Sequence, residues 1–388
     1  GRHNWMDKRG ETTAVLSLSS RRYASLAERT LKVLPAGIPI VRAEFDGPED
    51  GAGLAGLVTA LHVAQAAGVA LGVDPGRPGI PEFGRKLFRL PPPKSTLGAS
   101  VIMHRKVAAI RRAGGVVDVK SLEAACATSR TRIERADIEA VVLDYDGTLC
   151  DMRRRFLPLA PEVGAALLRV TELGLPIGIA TGRGQSVAKA LREALPKDVW
   201  SRVWIGFYNG SECTLLSDAT APHDRKPSEL TGAIAAALHS RESDWQIEPR
   251  ARQVTVTPKG NADINALIAE ISAMLAGVGR EIRLVTSSHS VDILLPGVSK
   301  RNLVARLCEQ AKIPEDNVLR IGDRGVAPGN DFDLLRHPLG LSADEVSPDP
   351  ESCWRWSAPG ILGPKATLGY LNALERTSKG VHMTLSGM

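Results

Sequence analysis

The sequence predicts an α/β protein: a doubly wound parallel-sheet core carrying a small α+β insert, preceded by a smaller α/β unit. Three observations predict it. Continuous apolar runs, Ala140-Val141-Val142-Leu143 and Pro176-Ile177-Gly178-Ile179-Ala180, alternate with helical stretches, and such runs mark strands buried on both faces. Between residues 218 and 292 the period changes to the alternation of Gln253-Val254-Thr255-Val256-Thr257, which marks a sheet with one wet face. The 388 residues also exceed one ordinary domain.

Residues 1–93 form the first unit. Ala14-Val15-Leu16 reads as a short strand, followed by Ser17-Leu18-Ser19-Ser20 and a helical pattern to Leu34. Gly37 ends that helix and Ile38-Pro39-Ile40-Val41 reads as a second strand, with an apolar helix over 53–73 after it. This βαβα rhythm predicts a parallel pair. Pro75-Gly76-Arg77-Pro78-Gly79 interrupts regular structure, and Pro91-Pro92-Pro93 makes a stiff linker. Residues 94–137 read as a basic helical connector.

The core is expected over 138–217 and 293–388. After the first apolar strand come helices at 161–173 and 186–194 and a third strand, Val203-Trp204-Ile205-Gly206. The insert, 218–292, reads as helices at 229–238 and 263–275 with antiparallel strands at 253–257, 281–285 and 289–295. The core resumes with a helix from Lys300 to Ala311 and the strand Val318-Leu319-Arg320-Ile321.

Composition narrows the function classes. Lys+Arg number 49 against 43 Asp+Glu, a mild and dispersed excess of +6, and aromatic residues make up 4%. Nucleic-acid binding wants a concentrated basic patch with stacking platforms, so a small anionic molecule is the better partner. The 5 cysteines are scattered and odd in number, which favours a reducing compartment over a disulfide framework. There is no signal-peptide pattern at the N-terminus. The 53–73 stretch contains His62 and Gln65 and is rich in glycine and alanine. It reads as a buried helix rather than a membrane span, which would be richer in Leu, Ile and Phe. The expectation is a cytoplasmic protein with no membrane partner, compatible with a homo-oligomer.

Four elements carry chemistry. The first core strand runs into Asp144-Tyr145-Asp146-Gly147-Thr148. Residues two apart on a strand point the same way, so two carboxylates emerge together at the carboxyl end of a buried strand, where doubly wound folds bind ligands. Such a pair needs a cation or a shared proton. The second core strand ends in Thr181-Gly182-Arg183-Gly184 just before a helix, a combination of hydroxyl, flexible backbone and guanidinium that suits phosphate. Lys300 opens the helix after the insert and offers a point charge. The strand ending at Ile321 is followed by Gly322-Asp323, with Asn330-Asp331 further on. Mg²⁺ takes few carboxylates together with waters and substrate phosphate, and Asp144, Asp323 and Asp331 are candidates to supply them.

The ordered set resembles the four motifs of the haloacid dehalogenase (HAD) superfamily, over about residues 138–379. An insert between the second and third motifs, together with Thr181-Gly182-Arg183, resembles the α/β-capped branch of Cof-like and sugar-phosphate phosphatases. The resemblance implies a Mg²⁺-dependent phosphatase, a phosphomonoester hydrolase. Asp144 would form an aspartyl-phosphate. Asp146 would serve as general acid and base and lend its backbone carbonyl to the metal. Thr181 and Lys300 would bind phosphoryl oxygens, with Gly182 and Arg183 at the substrate. Its substrate would be a small phosphorylated metabolite, a sugar phosphate or a nucleotide. A phosphotransferase or phosphomutase using the same aspartate, and a non-catalytic phosphosugar-binding module, are the alternatives. The chain departs from the family in one place. The branch has a tight Gly-Asp-x-x-Asn-Asp segment, whereas here residues 324–329 separate Asp323 from Asn330. Asp323, next to the strand, is the preferred direct ligand, and Asp331 equally reads as a helix cap. Arg183 equally reads as a structural partner of nearby carboxylates. His289 reads either as facing the substrate or as a surface strand residue, and the surface position is preferred.

In the first unit, Asp74-Pro75-Gly76-Arg77-Pro78-Gly79 and Phe83-Gly84-Arg85-Lys86-Leu87 resemble the distal part of sugar isomerase (SIS) domains, with Asp46-Gly47-Pro48-Glu49 at an acidic position. The likeness covers about residues 12–93, half of such a domain. Ser17–Ser20 reads equally as a phosphate-holding turn or a helix cap.

Overall fold

The computed structural model describes residues 13–72, 98–223, 226–260, 263–278 and 282–385, in two compact units, 1–97 and 98–388. In the first, strand β1 (Val15–Ser20) pairs in parallel with β2 (Ile40–Phe45), Val15 opposite Ile40, and helix Ala24–Leu31 connects them. Ser17 to Ser20 therefore lie within the strand rather than in a turn after it. Asp46 pairs with Arg21 at 3.0 Å on an exposed surface. The other SIS-like residues, at 74–79 and 83–87, and the linker at 91–93 lie outside the described residues.

Helix Glu49–Leu71 forms as expected and ends on Gly72, whose left-handed φ of 61° is a common helix C-terminus. It is not buried. Over Gly51–Ala70 only 6% is covered, and Leu54, Leu57 and Leu61 stand exposed. Among the described residues it is the one helix long and apolar enough to cross a membrane. A helix apolar on all sides needs cover on all sides, and among the described residues two strands with one short helix do not supply it.

The second unit is built on a six-stranded sheet, ordered β12–β11–β3–β4–β5–β6. Its strands are β3 (Ala140–Asp144), β4 (Ile177–Ala180), β5 (Val203–Phe207), β6 (Glu212–Leu215), β11 (Val318–Arg324) and β12 (Gly340–Glu345). All pairs are parallel except β5 with β6. Both faces are covered, as the unbroken apolar runs require. Val141 and Leu143 pack with Val163 and Leu167 of helix Pro161–Glu172 and with Val187 of helix Gln185–Ala194. Ala140 and Val142 point the other way, onto Leu303, Val304 and Leu307 of helix Arg301–Ala311. This is the doubly wound α/β core.

The insert is an antiparallel sheet ordered β7–β8–β10–β9, from β7 (Trp245–Pro249), β8 (Gln253–Pro258), β9 (Arg283–Thr286) and β10 (Val291–Leu294). Helices Glu229–Ala237 and Ile264–Met274 cover one face, where Ile234, Leu267 and Ile271 meet Val254, Val256, Val291 and Ile293.

The stretch read as a connector differs from that expectation. Helices Gly98–Arg112 and Val119–Arg135 bring Met103, Leu122, Cys126 and Ile133 into the same apolar core as the central sheet. Lys106, fully buried, donates from Nζ to the carbonyls of Ser347 (3.0 Å), Asp349 (2.7 Å) and Ser352 (2.7 Å). A basic residue turns inward here because a nest of carbonyl oxygens satisfies its charge.

Candidate active site

Strand β3 is buried along its whole length and delivers Asp144, 2% exposed, at its carboxyl end. The chain then turns at Gly147, whose φ is +85°; a Cβ there would collide with the Asp323 carboxylate. Glycine is thus needed twice, for the backbone conformation and for the approach of Asp323. Lys300 immediately precedes helix Arg301–Ala311 and is buried beside Asp144. Its Nζ donates to Asp144 Oδ1 (2.5 Å) and to Asp331 Oδ1 (2.6 Å). Asp331 Oδ2 accepts the backbone N–H groups of Asp323 (3.0 Å) and Arg324 (3.1 Å). Asp331 can come this close because Gly322 has no Cβ to meet its carboxylate.

Asp144, Asp323 and Asp331 each offer a carboxylate oxygen within 4.8 Å of the others. Burial first, and Asp331 second, push Asp144 up to about 8. Burial first, then Asp144 and Asp331, push Asp323 well above the usual carboxylate range. Burial opposes the charge on Lys300, but Asp144 and Asp331 outweigh it and hold the ammonium above its usual range. Two oxygens in this cluster, Asp144 Oδ2 and Asp323 Oδ1, are buried without a hydrogen-bond partner. Orphaned acceptors of this kind are costly. An all-oxygen donor set with two unused carboxylate oxygens fits a hard divalent cation such as Mg²⁺.

Asp146, Gly182 and Arg183 line one small cavity with Asp144 and Asp323, about 70 Å³ in volume. Thr181, Lys300 and Asp331 lie behind its wall, buried. The Thr181 hydroxyl accepts Arg183 N–H at 3.0 Å, which leaves its own proton to donate. Arg183 is engaged with the second carboxylate of the pair: its Nη1 donates to Asp146 Oδ1 (3.1 Å) and to the Arg155 carbonyl (2.9 Å). Its Nε donates to Ser186 Oγ at 3.2 Å.

The insert supplies the roof. Residues 287–290 join β9 to β10, and Ser287, Ser288, His289 and Ser290 all line the cavity. His289 is therefore at the site, not on the outer surface of a strand. Burial, then Arg155, lowers it to about 4, so the ring is neutral near pH 7.

A buried polar network was not read from the sequence. Asn209 Nδ2 donates to Asp292 Oδ2 (2.9 Å) and to Gln253 Oε1 (2.9 Å). Gln253 Nε2 donates to Asp292 Oδ1 (3.1 Å) and to the Gly182 carbonyl (3.3 Å), and Thr255 Oγ1 donates to Asp292 Oδ1 (2.8 Å). The network joins β8 and β10 of the insert to the Thr181-Gly182-Arg183 turn of the core. Burial pushes Asp292 up to about 6, against the hydrogen bonds from Thr255 and Asn209. The available signal was Asp292 itself, a carboxylate inside the apolar run of β10.

No protein-family model matches the chain, and no curated protein matches it. Solved structures do. A HAD/COF-like hydrolase from Plasmodium vivax matches at 16% identity over 63% of this chain and 97% of that one, with a TM-score of 0.46. The C-terminal domain of trehalose-6-phosphate phosphatase from C. albicans matches at 14% identity over 63% and 94%, with a TM-score of 0.45. A haloacid dehalogenase-like hydrolase from Bacteroides thetaiotaomicron matches at 17% identity over 53% and 88%, with a TM-score of 0.41. Two of these three carry the name of the superfamily that the four sequence motifs resemble.

Proposed function

We propose that this chain is a Mg²⁺-dependent phosphomonoester hydrolase that acts through an aspartyl-phosphate on a small phosphorylated metabolite. The observation that carries the reading is the pairing of Asp144 and Asp146 at one cavity, with Lys300 on one oxygen of Asp144 and the other oxygen free. Asp144 attacks phosphorus through one carboxylate oxygen as the bond to the leaving oxygen breaks, and keeps its other oxygen for the cation. Asp146 gives its proton to the leaving oxygen, then takes one from the water that cleaves the aspartyl-phosphate. Arg183 holds Asp146 in place between these steps. The Lys300 ammonium and the Thr181 hydroxyl balance charge on the phosphoryl oxygens as it develops.

Asp144, Asp323 and the Asp146 carbonyl would hold the metal directly. Asp331, whose oxygens are already engaged by Lys300 and two backbone N–H groups, would orient Asp323 and Lys300. When bound, the cation supplies charge neutralisation between the Asp144 carboxylate and the incoming phosphate. The serine hydroxyls and neutral imidazole of the roof suit an uncharged, hydroxylated leaving group such as a sugar. The test is phosphate release from a panel of sugar phosphates and nucleotides, with Mg²⁺ and with EDTA. Metal-dependent turnover, fastest on sugar phosphates, is expected. A folded protein with no turnover on any member would overturn the reading.

A further inference from the structure

The segment between Asp323 and Asn330 is where the sequence departs from the spacing of the family it resembles. The extra residues are in contact with the insert. Thr286, the last residue of β9, donates its N–H to the Pro328 carbonyl (2.8 Å) and accepts the N–H of Asn330 on its own carbonyl (3.0 Å). Thr286 and Gly329 thereby form a parallel β-bridge. The other end of β9 is tied as well. Arg283 forms an ion pair with Asp333, and its Nη2 donates to the Val298 carbonyl at 2.8 Å. Asp333 also accepts the Ser299 hydroxyl at 3.0 Å. One strand of the insert is thus fastened at both ends to the two loops that carry Asp323, Asp331 and Lys300.

The roof residues 287–290 follow directly from Thr286. The cavity beneath them is small, about 70 Å³. A shift of β9 that carries the roof with it must loosen the ties at Thr286 and Arg283.

We propose that Arg283 and Asp333, together with the Thr286 bridge to residues 328–330, form a catch that positions the roof over the phosphoryl site and sets the size of leaving group admitted. Arg283 is a positioning residue: it touches neither substrate nor the reacting atoms and acts through β9. The catalytic half of this proposal rests on the phosphohydrolase reading; the catch itself does not.

The experiment pairs two readouts on Arg283→Ala and on the charge-swapped double variant Arg283→Asp/Asp333→Arg. The first is hydrogen exchange over residues 283–290 and 326–332, measured on the whole protein. Loss of a half-exposed ion pair is expected to speed exchange of the Thr286 and Asn330 amides by roughly two- to fivefold, with recovery in the swapped variant. The second is the ratio of kcat/KM for a hexose phosphate to that for acetyl phosphate, which should rise by a similar factor as the catch weakens. Unchanged exchange in Arg283→Ala, or amides already unprotected in the wild type, overturns the catch. Faster exchange with an unchanged substrate ratio overturns its role in selectivity. If no phosphate ester turns over at all, the phosphohydrolase reading fails, and the exchange data alone decide whether the catch stands.

Discussion

Replacing Asp144 with asparagine should stabilise the metal-free protein while abolishing its proposed activity. The carboxylate sits 2.5 Å from the Lys300 ammonium and within 4.8 Å of oxygens on both Asp323 and Asp331. At an effective dielectric of about 20, the lysine contact returns roughly 7 kcal/mol and each like-charge neighbour costs roughly 3 kcal/mol or more. The two repulsions nearly cancel the attraction, so burial decides, and Asp144 is pushed up to about 8. For an acid raised on folding, the stabilising effect is full below the unfolded value near 4 and is lost as pH rises towards 8. At pH 7 the wild type therefore carries a penalty of roughly 2–4 kcal/mol from this group. Asparagine keeps the shape and removes that penalty. In EDTA at pH 7, urea unfolding should show Asp144→Asn more stable than wild type, with the gap closing towards pH 4. Loss of the nucleophile should lower turnover by at least about three orders of magnitude. A variant that is no more stable than wild type at pH 7, with no pH dependence in the difference, would refute the electrostatic account of the cluster. Retained turnover would refute the assignment of the nucleophile.

Two other substitutions probe different parts of the machinery. Lys300→Met leaves three buried carboxylates without their ammonium, and should cost about 3–5 kcal/mol in EDTA, read from the urea midpoint; Mg²⁺ should restore part of the loss. Asp292 is pushed up to about 6, so its stabilising effect is full below about 4 and is lost as pH rises through 6. Wild type should lose up to about 3 kcal/mol from this group between pH 4 and 7, whereas Asp292→Asn should lose none of it. That variant should start about 1–3 kcal/mol lower, because one amide cannot accept from Asn209 on one side and Thr255 and Gln253 on the other.

Strands β3 and β4 were legible because each is a short apolar run that stops at a polar residue, and burial on both faces leaves no room for polar alternation. Two of the strands that escaped the reading break that rule for identifiable reasons. Gly340-Leu341-Ser342-Ala343 of β12 is buried, yet its composition is that of a loop. Ser342 can be there because its hydroxyl donates to the Glu345 carbonyl at 2.7 Å and its N–H to the Trp354 carbonyl at 2.9 Å. β7 lies at the edge of the insert sheet, and Gln246 and Glu248 on it face outward without disturbing any core. The helices read as a connector hide their role in Lys106, since a sequence pattern gives a lysine no inward preference until its carbonyl acceptors at 347–352 are in place.

The site shows the same division between what is local and what is not. Asp144 ends β3 and Asp146 follows two residues on, so continuing the pleat past the strand end is enough to bring both to one cavity. Asp323 and Asp331 are eight apart, across a loop of unusual length, and spacing says only that the loop is longer. Three things that spacing does not contain separate their roles: donors saturate Asp331, Asp323 keeps a buried oxygen free, and the added residues bend away to meet Thr286. A carboxylate whose oxygens already accept from an ammonium and two backbone N–H groups has little left for a cation, whereas a buried oxygen with no donor has a strong reason to bind one. On that ground the proposed direct ligand is Asp323. The lengthened loop lets one segment serve the proposed metal site at its two ends and the roof in its middle.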